Sequence, residues 1–280
     1  MILVADSGST KTDWVLISGA DSISFQTIGL SPYFVEHSDI SSILLSAFPN
    51  TIHPNSILQI FFYGTGCGTE ASQNIIQTAL SHIFTKALIH VTTDLVGAAI
   101  ALLRKSEGII AILGTGMNIG YWNGTHIEYT QPSLGYILGD EGSGAYLGKQ
   151  LLNAYFYEEM PEEIMEKFWR KYKLTRETCV ENVYKQPFPN KYLAAFSEFL
   201  YENKHHTYIK TLIKSAFYTF VEKHVIKIAK KSQNFRIFVI GSIGYYFADF
   251  LQEACIEKNI TVIRIEKSPI LELKHYHSQT

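Results

Sequence analysis

The chain has 280 residues, a length typical of two domains or of one large one. Hydrophobic residues make up 46% of it and charged residues 18%, so a large core can be buried and a wholly disordered chain is not expected. The formal net charge of −2 is too balanced to indicate nucleic acid or an anionic membrane as a partner.

The three cysteines, Cys67, Cys179 and Cys255, lie far apart, and none has a partner at metal-binding spacing. Their odd number favours reduced thiols in a cytoplasm, so we expect a cytoplasmic protein. No basic segment precedes the first apolar run, and no signal peptide is expected. The longest clearly apolar stretch, residues 96–103, is far shorter than the roughly 20 residues that span a bilayer, so we expect no membrane partner.

The first part of the chain predicts a three-stranded meander followed by strand–helix pairs. Three β-favouring runs come first, at residues 1–5, 13–17 and 22–28. Small polar segments separate them, which is typical of hairpins. Two strands at 58–63 and 88–93 follow, with helices at 69–84 and 95–105.

The opening pattern returns after residue 107. Apolar strands are predicted at 108–113, 119–122 and 125–130, with a Gly/Thr loop between the first two. Asn123-Gly124 predicts a tight hairpin turn, because both of its central positions favour positive φ. The order strand, loop, strand, turn, strand therefore occurs twice, which indicates an internal repeat.

The rest of the chain predicts mainly helices and then two more strands. Residues 145–231 are mostly helical, with one long helix at 205–231. A strand at 236–240, a tight loop at 241–244, a helix at 245–258 and a strand at 260–265 follow. Ser268 and Pro269 predict the N-cap and first residue of a last helix.

We therefore predict an α/β protein with two domains. The N-terminal domain covers residues 1–107 and is joined by the C-terminal helix at about 267–280. The C-terminal domain covers residues 108–266. No low-complexity linker separates them.

The first loop, residues 6–12, has the composition of a phosphate site. Gly8 allows a close backbone approach, and loop N–H groups can form an anion-binding nest. Hydroxyl groups come from Ser7, Ser9, Thr10 and Thr12. Lys11 adds positive charge, and Asp6 can hold Mg²⁺ through water. An ordinary polar β-turn is the alternative interpretation.

The second loop, Gly114-Thr115-Gly116, is a weak signal by itself. A dinucleotide-binding loop needs Gly-x-Gly-x-x-Gly at the start of a helix, whereas both loops here precede strands. The Walker A sequence is also absent. The interpretation that remains is a pair of Gly/Thr hairpins that face each other across a domain cleft. These hairpins could clamp a triphosphate from both sides.

Asp94 follows a predicted strand directly. Ligand sites of open α/β sheets gather at the carboxyl ends of the strands. A carboxylate there could accept the proton of an attacking hydroxyl group. The alternative is that Asp94 caps the helix that starts at Leu95, and both interpretations can hold together.

The stretch from Gly135 to Gly144 combines four glycines with the adjacent acids Asp140 and Glu141. Carboxylates accept paired hydrogen bonds from neighbouring hydroxyl groups, so this loop suits a polyol. A tight loop before a helix, with both acids near the helix dipole, is the alternative. We favour the binding role, because a turn alone does not require two adjacent acidic residues among so many glycines.

Two further loops connect a strand to a helix. Gly241, Ser242 and Gly244 could let adenine and ribose lie close to the backbone, although a plain βα turn explains them equally well. The segment 64–68 is similar and could line the cleft, so we include Thr65 among the candidate sugar contacts.

In this order along the chain, the motifs resemble those of the actin-like ATPase superfamily, which includes sugar kinases, actin and large heat-shock chaperones. The closest resemblance is to the BadF/BadG/BcrA/BcrD-type ATPases, and within them to N-acetylglucosamine kinases. It covers nearly the whole chain, and the Gly-Asp-Glu-Gly-Ser run at 139–143 is its most specific part. The resemblance implies a duplicated ribonuclease H-like fold with an interdomain cleft, and the use of ATP and Mg²⁺.

The resemblance also implies a role for individual positions. For the phosphates of ATP it implies Asp6, Gly8, Thr10, Lys11, Gly114 and Thr115. For the sugar it implies Asn118 and Asp140, with Gly116 between the two sites. Asp94 matches the catalytic base, and Gly241 and Gly244 match the adenosine motif. The implied reaction transfers the γ-phosphate to a hydroxyl group, the 6-OH, of an amino sugar such as N-acetylglucosamine.

Two positions depart from the family pattern. Leu134 stands where the animal kinases carry a Trp near the acetamido group, and Ser31 stands where many members carry an Asn. The acceptor therefore stays open among N-acetylglucosamine, N-acetylmuramic acid, glucosamine and an unacetylated hexose. The expected partner is a small-molecule sugar, and the resemblance is compatible with a homodimer.

Two other functions compete with the kinase. A BadF-type ATPase that activates a partner enzyme would hold an iron–sulfur cluster through cysteines near the second loop, yet residues 108–150 contain none. A catalytically silent sugar sensor would not need the intact set of Asp6, Lys11 and Asp94. A filament or a chaperone would need additional subdomains.

Overall fold

The computed structural model describes residues 1–32 and 37–279, and in the first helix it describes side chains from Ile40 onward. The strands are β1 (Ile2–Ser7), β2 (Lys11–Ser18), β3 (Asp21–Ile28), β4 (Gln59–Gly64), β5 (Leu88–Thr93), β6 (Gly108–Leu113), β7 (Met117–Trp122), β8 (Ile127–Thr130), β9 (Arg236–Ile240) and β10 (Thr261–Glu266). The helices are α1 (His37–Ala47), α2 (Glu70–Ile83), α3 (Asp94–Leu102), α4 (Gly135–Leu138), α5 (Gly144–Phe156), α6 (Glu162–Tyr172), α7 (Arg176–Tyr184), α8 (Pro189–Ala195), α9 (Ser197–Glu202), α10 (Thr207–Phe220), α11 (Ile226–Ser232), α12 (Ser242–Tyr246), α13 (Ala248–Glu257) and α14 (Ile270–His277).

The chain forms two compact units. The first comprises Met1–Ser106, Asn123–His126 and Ser268–Thr280, and the second comprises Glu107–Trp122 and Ile127–Lys267. Each unit contains one five-stranded sheet with helices. The α/β fold class predicted from the sequence is confirmed.

The two sheets have the same topology. Strand order is β3-β2-β1-β4-β5 in the first unit and β8-β7-β6-β9-β10 in the second. In each sheet the first three strands of the unit pair antiparallel as a meander, and the remaining two join parallel to the first strand. The internal repeat in the sequence is therefore a repeat of strand topology.

Each unit buries a hydrophobic core between its sheet and its helices. In the first unit Leu3, Trp14 and Phe62 are at most 1% exposed, and they lie on three adjacent strands. The core of the second unit is larger, and Phe168 and Phe217 are fully buried in it. Removal of this apolar surface from water is the main force that holds each unit together.

The first glycine loop is shorter than the sequence predicted, and the strand after the second loop begins two residues earlier than predicted. β1 extends to Ser7 and β2 begins at Lys11, so the first loop is only Gly8–Thr10. β7 begins at Met117, so the second loop is only Gly114–Gly116. Several small polar residues that looked like loop therefore lie on paired strands, because their backbone groups continue the antiparallel ladder.

The turn at Asn123-Gly124 also differs from the prediction. Only Gly124 has positive φ, at 93°, so the turn is not the expected type I′ hairpin. The Asn123 side-chain oxygen instead accepts hydrogen bonds from the N–H groups of Thr125 and His126, at 3.1 and 3.0 Å. This side-chain turn lengthens the loop and delays β8 to Ile127.

The long helix predicted at 205–231 is present but not uniform. It runs as α10, a π turn at Val221–Val225, and α11, from Thr207 to Ser232. The helix predicted at 245–258 begins earlier, at Ser242, and breaks at Phe247 between α12 and α13. The last helix begins at Ile270, one residue later than Ser268 and Pro269 predicted. In the part of the chain that the structure describes, no helix is long and apolar enough to cross a bilayer.

The C-terminal helix α14 packs against β1, β2 and α3 of the first unit. Its residue His277 is 3% exposed, and its Nε2 lies 2.9 Å from the Tyr63 hydroxyl group. The His277 ring also stacks on Phe61, with ring centroids 3.9 Å apart. Burial, with a smaller contribution from the charge of His90, lowers the pKa of His277 to about 4.

We expect His277 to make the stability of the protein depend on pH. Below its ordinary pKa of 6.5 the unfolded chain takes up a proton at this ring, whereas the buried ring stays neutral down to about pH 4. The free energy of unfolding should therefore fall by about 3 kcal/mol more in the wild type than in His277→Gln as pH falls from 7 to 4.

Urea unfolding at a series of pH values measures this difference. His275→Gln is the matched control, because the His275 side chain is exposed on the same helix. That variant should keep the wild-type pH dependence. The same pH dependence in His277→Gln and the wild type would contradict the assignment.

Candidate functional site

The first loop is built by a close approach of two backbone segments. The Gly8 N–H donates to the Lys11 carbonyl at 3.0 Å, which closes the hairpin between β1 and β2. The Gly29 N–H donates to the Thr10 carbonyl at 3.1 Å. A Cβ atom at Gly29 would lie 2.4 Å from the Gly8 oxygen, so only glycine allows this segment to support the loop.

The Thr12 hydroxyl group is paired within the protein, and its predicted phosphate contact stays a prediction. Ser7 and Thr12 are both fully buried, and their hydroxyl oxygens lie 2.8 Å apart. The Leu30 N–H lies within hydrogen-bonding distance of both oxygens, at 3.1 and 3.2 Å. Both hydroxyl groups are paired in the protein interior, so they stabilise the base of the loop. Ser9 and Thr10, which carry the other two of the four predicted hydroxyl groups, are partly exposed.

Lys11 forms an ion pair at the start of β2. Its Nζ lies 2.7 Å from Asp13 Oδ2, and Gln26 donates a further hydrogen bond to Asp13. The Lys11 side chain is 56% exposed. The Asp13 side chain is only 11% exposed and keeps the hydrogen bond from Gln26, so the exposed ammonium group of Lys11 is the member of the pair that an anionic ligand can reach.

Asp6 and Asp94 lie at the same edge of the first sheet. Asp6 is near the carboxyl end of β1 and Asp94 directly follows β5, and both strands run parallel to β4. Burial raises the pKa of Asp6 to about 7, and the charges of Asp94 and Asp13 add to the increase, while Lys11 opposes it. This crowding of carboxylates favours a bound cation, which would stabilise their charged forms.

Asp94 occupies the first helical position of α3, and Thr93 is the N-cap. The Thr93 hydroxyl oxygen accepts a hydrogen bond from the Val96 N–H at 3.3 Å. Asp94 Oδ1 accepts one from the Leu95 N–H at 2.8 Å. The capping role that the sequence left open therefore belongs mainly to Thr93, and Asp94 is a partly exposed carboxylate at the helix start.

Thr65 lies beside these groups. Its N–H donates to the Ser7 carbonyl at 2.8 Å, which extends the pairing of β1 and β4 by one residue. Burial and then the charge of Asp94 raise the pKa of the neighbouring Cys67 thiol to about 12. The structure therefore brings Asp6, Thr65 and Asp94 together in the first unit.

In the second unit, the Gly114–Gly116 loop is fastened to the start of α5. The Gly144 N–H donates to the Gly114 carbonyl at 2.9 Å, and the Ala145 N–H donates to the Thr115 carbonyl at 3.0 Å. The first N–H groups of a helix have no partners within it, and the loop carbonyls satisfy two of them here.

Asp140 packs onto the same loop. It is 6% exposed, and a Cβ atom at Gly116 would lie 2.9 Å from its Oδ2 atom. Burial raises the pKa of Asp140 to about 6, although the hydrogen bond from the Met117 backbone opposes the increase. Asn118 is partly exposed on β7, two residues after Gly116. Two predicted sugar positions thus lie at the second loop.

Gly135 begins α4 with φ of 70°, and no other atom lies within 4 Å of the position of a Cβ atom there. The positive φ explains the glycine without a ligand. Its predicted contact with the sugar stays a prediction.

Both carboxylate oxygens of Glu141 accept hydrogen bonds from side chains of the same unit. Its Oε1 accepts a hydrogen bond from Lys223 at 2.7 Å, and its Oε2 accepts one from His224 at 2.9 Å. Burial alone would raise the pKa of Glu141, but these two donors outweigh it and lower the pKa to about 2. These bonds tie the loop to residues 223–224, and the predicted contact of Glu141 with the sugar stays a prediction.

The glycines at 241 and 244 are required by packing. Gly241 has φ of 121°, and a Cβ atom there would lie 2.2 Å from the Leu113 oxygen. A Cβ atom at Gly244 would lie 2.7 Å from the Val239 side chain. The predicted loop is in fact the start of α12, with Ser242 exposed at its first position. Their role toward adenosine stays a prediction.

Several residues of the site carry no strong signal in the sequence. Gly29 could have been suspected from its position in a Gly-Leu-Ser-Pro segment. Thr93 is a good N-cap residue beside the more conspicuous Asp94. Lys223 and His224 lie more than 80 residues from Glu141, in a segment whose sequence predicts only a long helix. No local pattern could have connected them.

Comparisons with known proteins agree with this fold. A protein from Porphyromonas gingivalis, provisionally named an N-acetylglucosamine kinase, has 35% sequence identity over 100% of this chain and 99% of its own, with a TM-score of 0.93. One with the same provisional name from Chromobacterium violaceum has 16% identity over 98% of both chains and a TM-score of 0.70. A ROK family glucokinase from Streptomyces griseus, solved with glucose and AMPPNP, has 11% identity over 100% and 98% and a TM-score of 0.60. No protein-family model and no curated protein matches the chain.

The strand order is duplicated, and a glycine loop follows the first strand of each unit, as expected for the actin-like fold of sugar kinases. The Chromobacterium and Streptomyces structures share the overall fold of this chain. The identity to the Porphyromonas protein extends over the whole length of both chains. The chain therefore belongs to the N-acetylglucosamine kinase-like family of actin-like sugar kinases. The narrower BadF assignment stays a prediction.

We expect Gly241→Ala to destabilise the protein strongly and Gly114→Ala to leave its stability nearly unchanged. The first variant combines a 2.2 Å clash with backbone and a strained φ of 121°, whereas nothing lies within 4 Å of a Cβ atom at Gly114. A loss of about 3 kcal/mol or more is expected for Gly241→Ala. Urea unfolding of both variants measures it, and similar stabilities for the two would contradict the packing role.

Proposed function

We propose that the protein is an ATP-dependent sugar kinase that transfers the γ-phosphate of ATP to a hydroxyl group of an amino sugar such as N-acetylglucosamine. The observation that carries the proposal is the placement of Asp94. Its carboxylate lies at the carboxyl end of a parallel strand, close enough to Asp6 for its charge to raise the pKa of that residue, and Thr93 is the N-cap of the helix that follows. Family membership supports the class of reaction.

In this proposal the two glycine loops bind the phosphates of ATP. The loops offer Gly8, Ser9 and Thr10 in one unit and Gly114, Thr115 and Gly116 in the other. Lys11 supplies the positive charge, since its side chain is 56% exposed and accessible to a phosphate. Gly241, Ser242 and Gly244 would lie near the adenosine.

Mg²⁺ fits the chemistry of the first unit. Asp6 would hold it through water, because burial and the nearby charge of Asp94 make an uncompensated carboxylate at Asp6 unfavourable. In the described part of the chain, no three His, Cys, Asp or Glu side chains are grouped to hold a metal ion. The phosphates of ATP would therefore have to supply further ligands. Bound there, Mg²⁺ would neutralise charge on phosphate oxygens.

Asp94 would act as the general base. A partly exposed carboxylate at the start of a helix can hydrogen-bond to the sugar hydroxyl group and accept its proton as the oxygen attacks phosphorus. Asp140, Asn118, Gly135 and Thr65 would orient the sugar. Catalysis would then consist mainly of positioning and charge stabilisation.

The acceptor is proposed from the name of the Porphyromonas protein and from the loop chemistry. A primary hydroxyl group, the 6-OH, is the least hindered nucleophile of such a sugar. Of the two positions that depart from the family pattern, Leu134 is 58% exposed and Ser31 is 1% exposed. Leu134 is therefore the one that a substrate can contact without rearrangement. A cytoplasmic location is proposed with this function, where ATP is available.

A coupled ADP-release assay with Mg-ATP and a panel of amino sugars and hexoses tests the proposal. Release that depends on one sugar, with phosphorylation at its 6-OH shown by NMR, is the expected result. Release without any sugar would favour an ATPase that activates a partner. No release across the panel, together with tight sugar binding by calorimetry, would favour a sensor.

We expect Asp94→Asn to lower kcat by about 10²–10⁴-fold, because the variant keeps its shape but cannot accept a proton. Binding of a fluorescent ATP analogue should stay within about twofold of the wild type. Asp21→Asn, on an exposed residue that begins β3, is the matched control and should be fully active. Near-normal turnover in Asp94→Asn would remove this residue from the mechanism.

A further inference from the structure

The π turn at Val221–Val225 faces the Gly139–Ser143 loop of the same unit. Lys223 and His224 are consecutive residues in this turn, and both donate to the single carboxylate of Glu141. Consecutive side chains of an α-helix diverge by about 100°. The wider π turn reduces this angle, which helps both side chains to reach one carboxylate.

A third contact comes from the residue just before the π turn. A Cβ atom at Gly142 would lie 2.8 Å from the Cβ atom of Phe220, so the loop backbone rests directly on this fully buried side chain. Residues 220–224 therefore contact both Glu141 and Gly142. We call this set of contacts the loop clamp, formed by Phe220, Lys223 and His224.

His224 occupies this position at a cost. Its Nε2 must carry a proton to donate to Glu141, and its Nδ1 is buried without a hydrogen-bond partner among the described residues. An unsatisfied buried nitrogen is unfavourable. The bond to Glu141 is the hydrogen bond that offsets part of this cost.

The residue next to Glu141 is the one that the clamp can position. Asp140 has φ of 58°, in the left-handed region, which is uncommon for residues other than glycine although aspartate adopts it more often than most. This conformation directs its carboxylate against Gly116 of the second glycine loop. Strained backbone persists where the surrounding contacts impose it, and here the clamp holds both residues that follow Asp140.

We propose that Lys223 and His224 are positioning residues for sugar phosphorylation, which act through Glu141 to fix Asp140 against the second glycine loop. Neither residue needs to touch the substrate. The inference rests on the proposed function, since it assigns Asp140 to sugar binding. Loss of the clamp should therefore impair recognition of the sugar more than binding of ATP.

Lys223→Met tests the inference. The Lys223 side chain is 57% exposed, so the variant should fold, but it leaves one oxygen of a buried carboxylate without its donor. We expect the KM for the sugar to rise about 10-fold or more, with the KM for ATP unchanged within about twofold. Lys223→Arg restores a charged donor and should return the sugar KM to within about threefold of the wild type.

Lys227→Met is the matched control. It makes the same substitution at an exposed lysine of the same helical run, one turn further along. This variant should keep the wild-type KM for both substrates. A rise of both KM values together in Lys223→Met, or an equal effect in Lys227→Met, would overturn the positioning role.

Hydrogen exchange separates the clamp from the proposed function. The Ser143 and Gly144 N–H groups donate to the carbonyls of Asp140 and Gly114, so a peptide over residues 139–145 reports on the loop. In Lys223→Met it should exchange faster than in the wild type and in Lys227→Met. Unchanged exchange would overturn the clamp whether or not the wild type phosphorylates a sugar. If the wild type phosphorylates none, the proposed function and the positioning role fail together, and faster exchange would leave only a loop-holding role.

Discussion

The parallel register of β1, β4 and β5 is the constraint on which the candidate site of the first unit depends. Ser7, Gly64 and Thr93 stand at matching positions along these strands, so the segments that follow them begin at the same level of the sheet. Neighbouring strands are about 4.8 Å apart, which places the ends of β1 and β5 about 10 Å from each other. Asp6, Thr65 and Asp94 are gathered by this alignment, although nearly 90 residues separate the first from the last.

Each of the two units contains a buried carboxylate whose pKa is raised. The pKa values of Asp6 and Asp140 are both raised by desolvation, to about 7 and about 6, because neither carboxylate has a full set of cationic partners. Glu141 shows the opposite behaviour, since two donors hold it ionised. Carboxylates left unfavourable in the free protein are candidates for ligand contact, whereas a compensated one is a structural support. This contrast separates Asp140 from its neighbour.

Glycine has two different uses around these sites. At Gly29 and Gly241 it permits backbone to pass within contact distance of backbone, and an added methyl group would meet an oxygen at 2.4 or 2.2 Å. At Gly114 the space beside the backbone is open. The first use belongs to the architecture of the units, and only the second leaves room for a bound group. A glycine-rich sequence alone does not distinguish them, because the neighbouring atoms come from other parts of the chain.

The sequence by itself determined the α/β class, the repeated meander and the positions of the glycine loops. These follow from local alternation of apolar residues and from short turns. It also singled out Asp6, Asp94 and Asp140 by their position after strands or between glycines. Tertiary structure decided which groups surround Thr12, Glu141 and Gly241. Thr12 pairs with Ser7 and Leu30, and Glu141 pairs with donors more than 80 residues away. Such assignments depend on which distant groups reach a side chain in space, and only the folded chain brings those groups together.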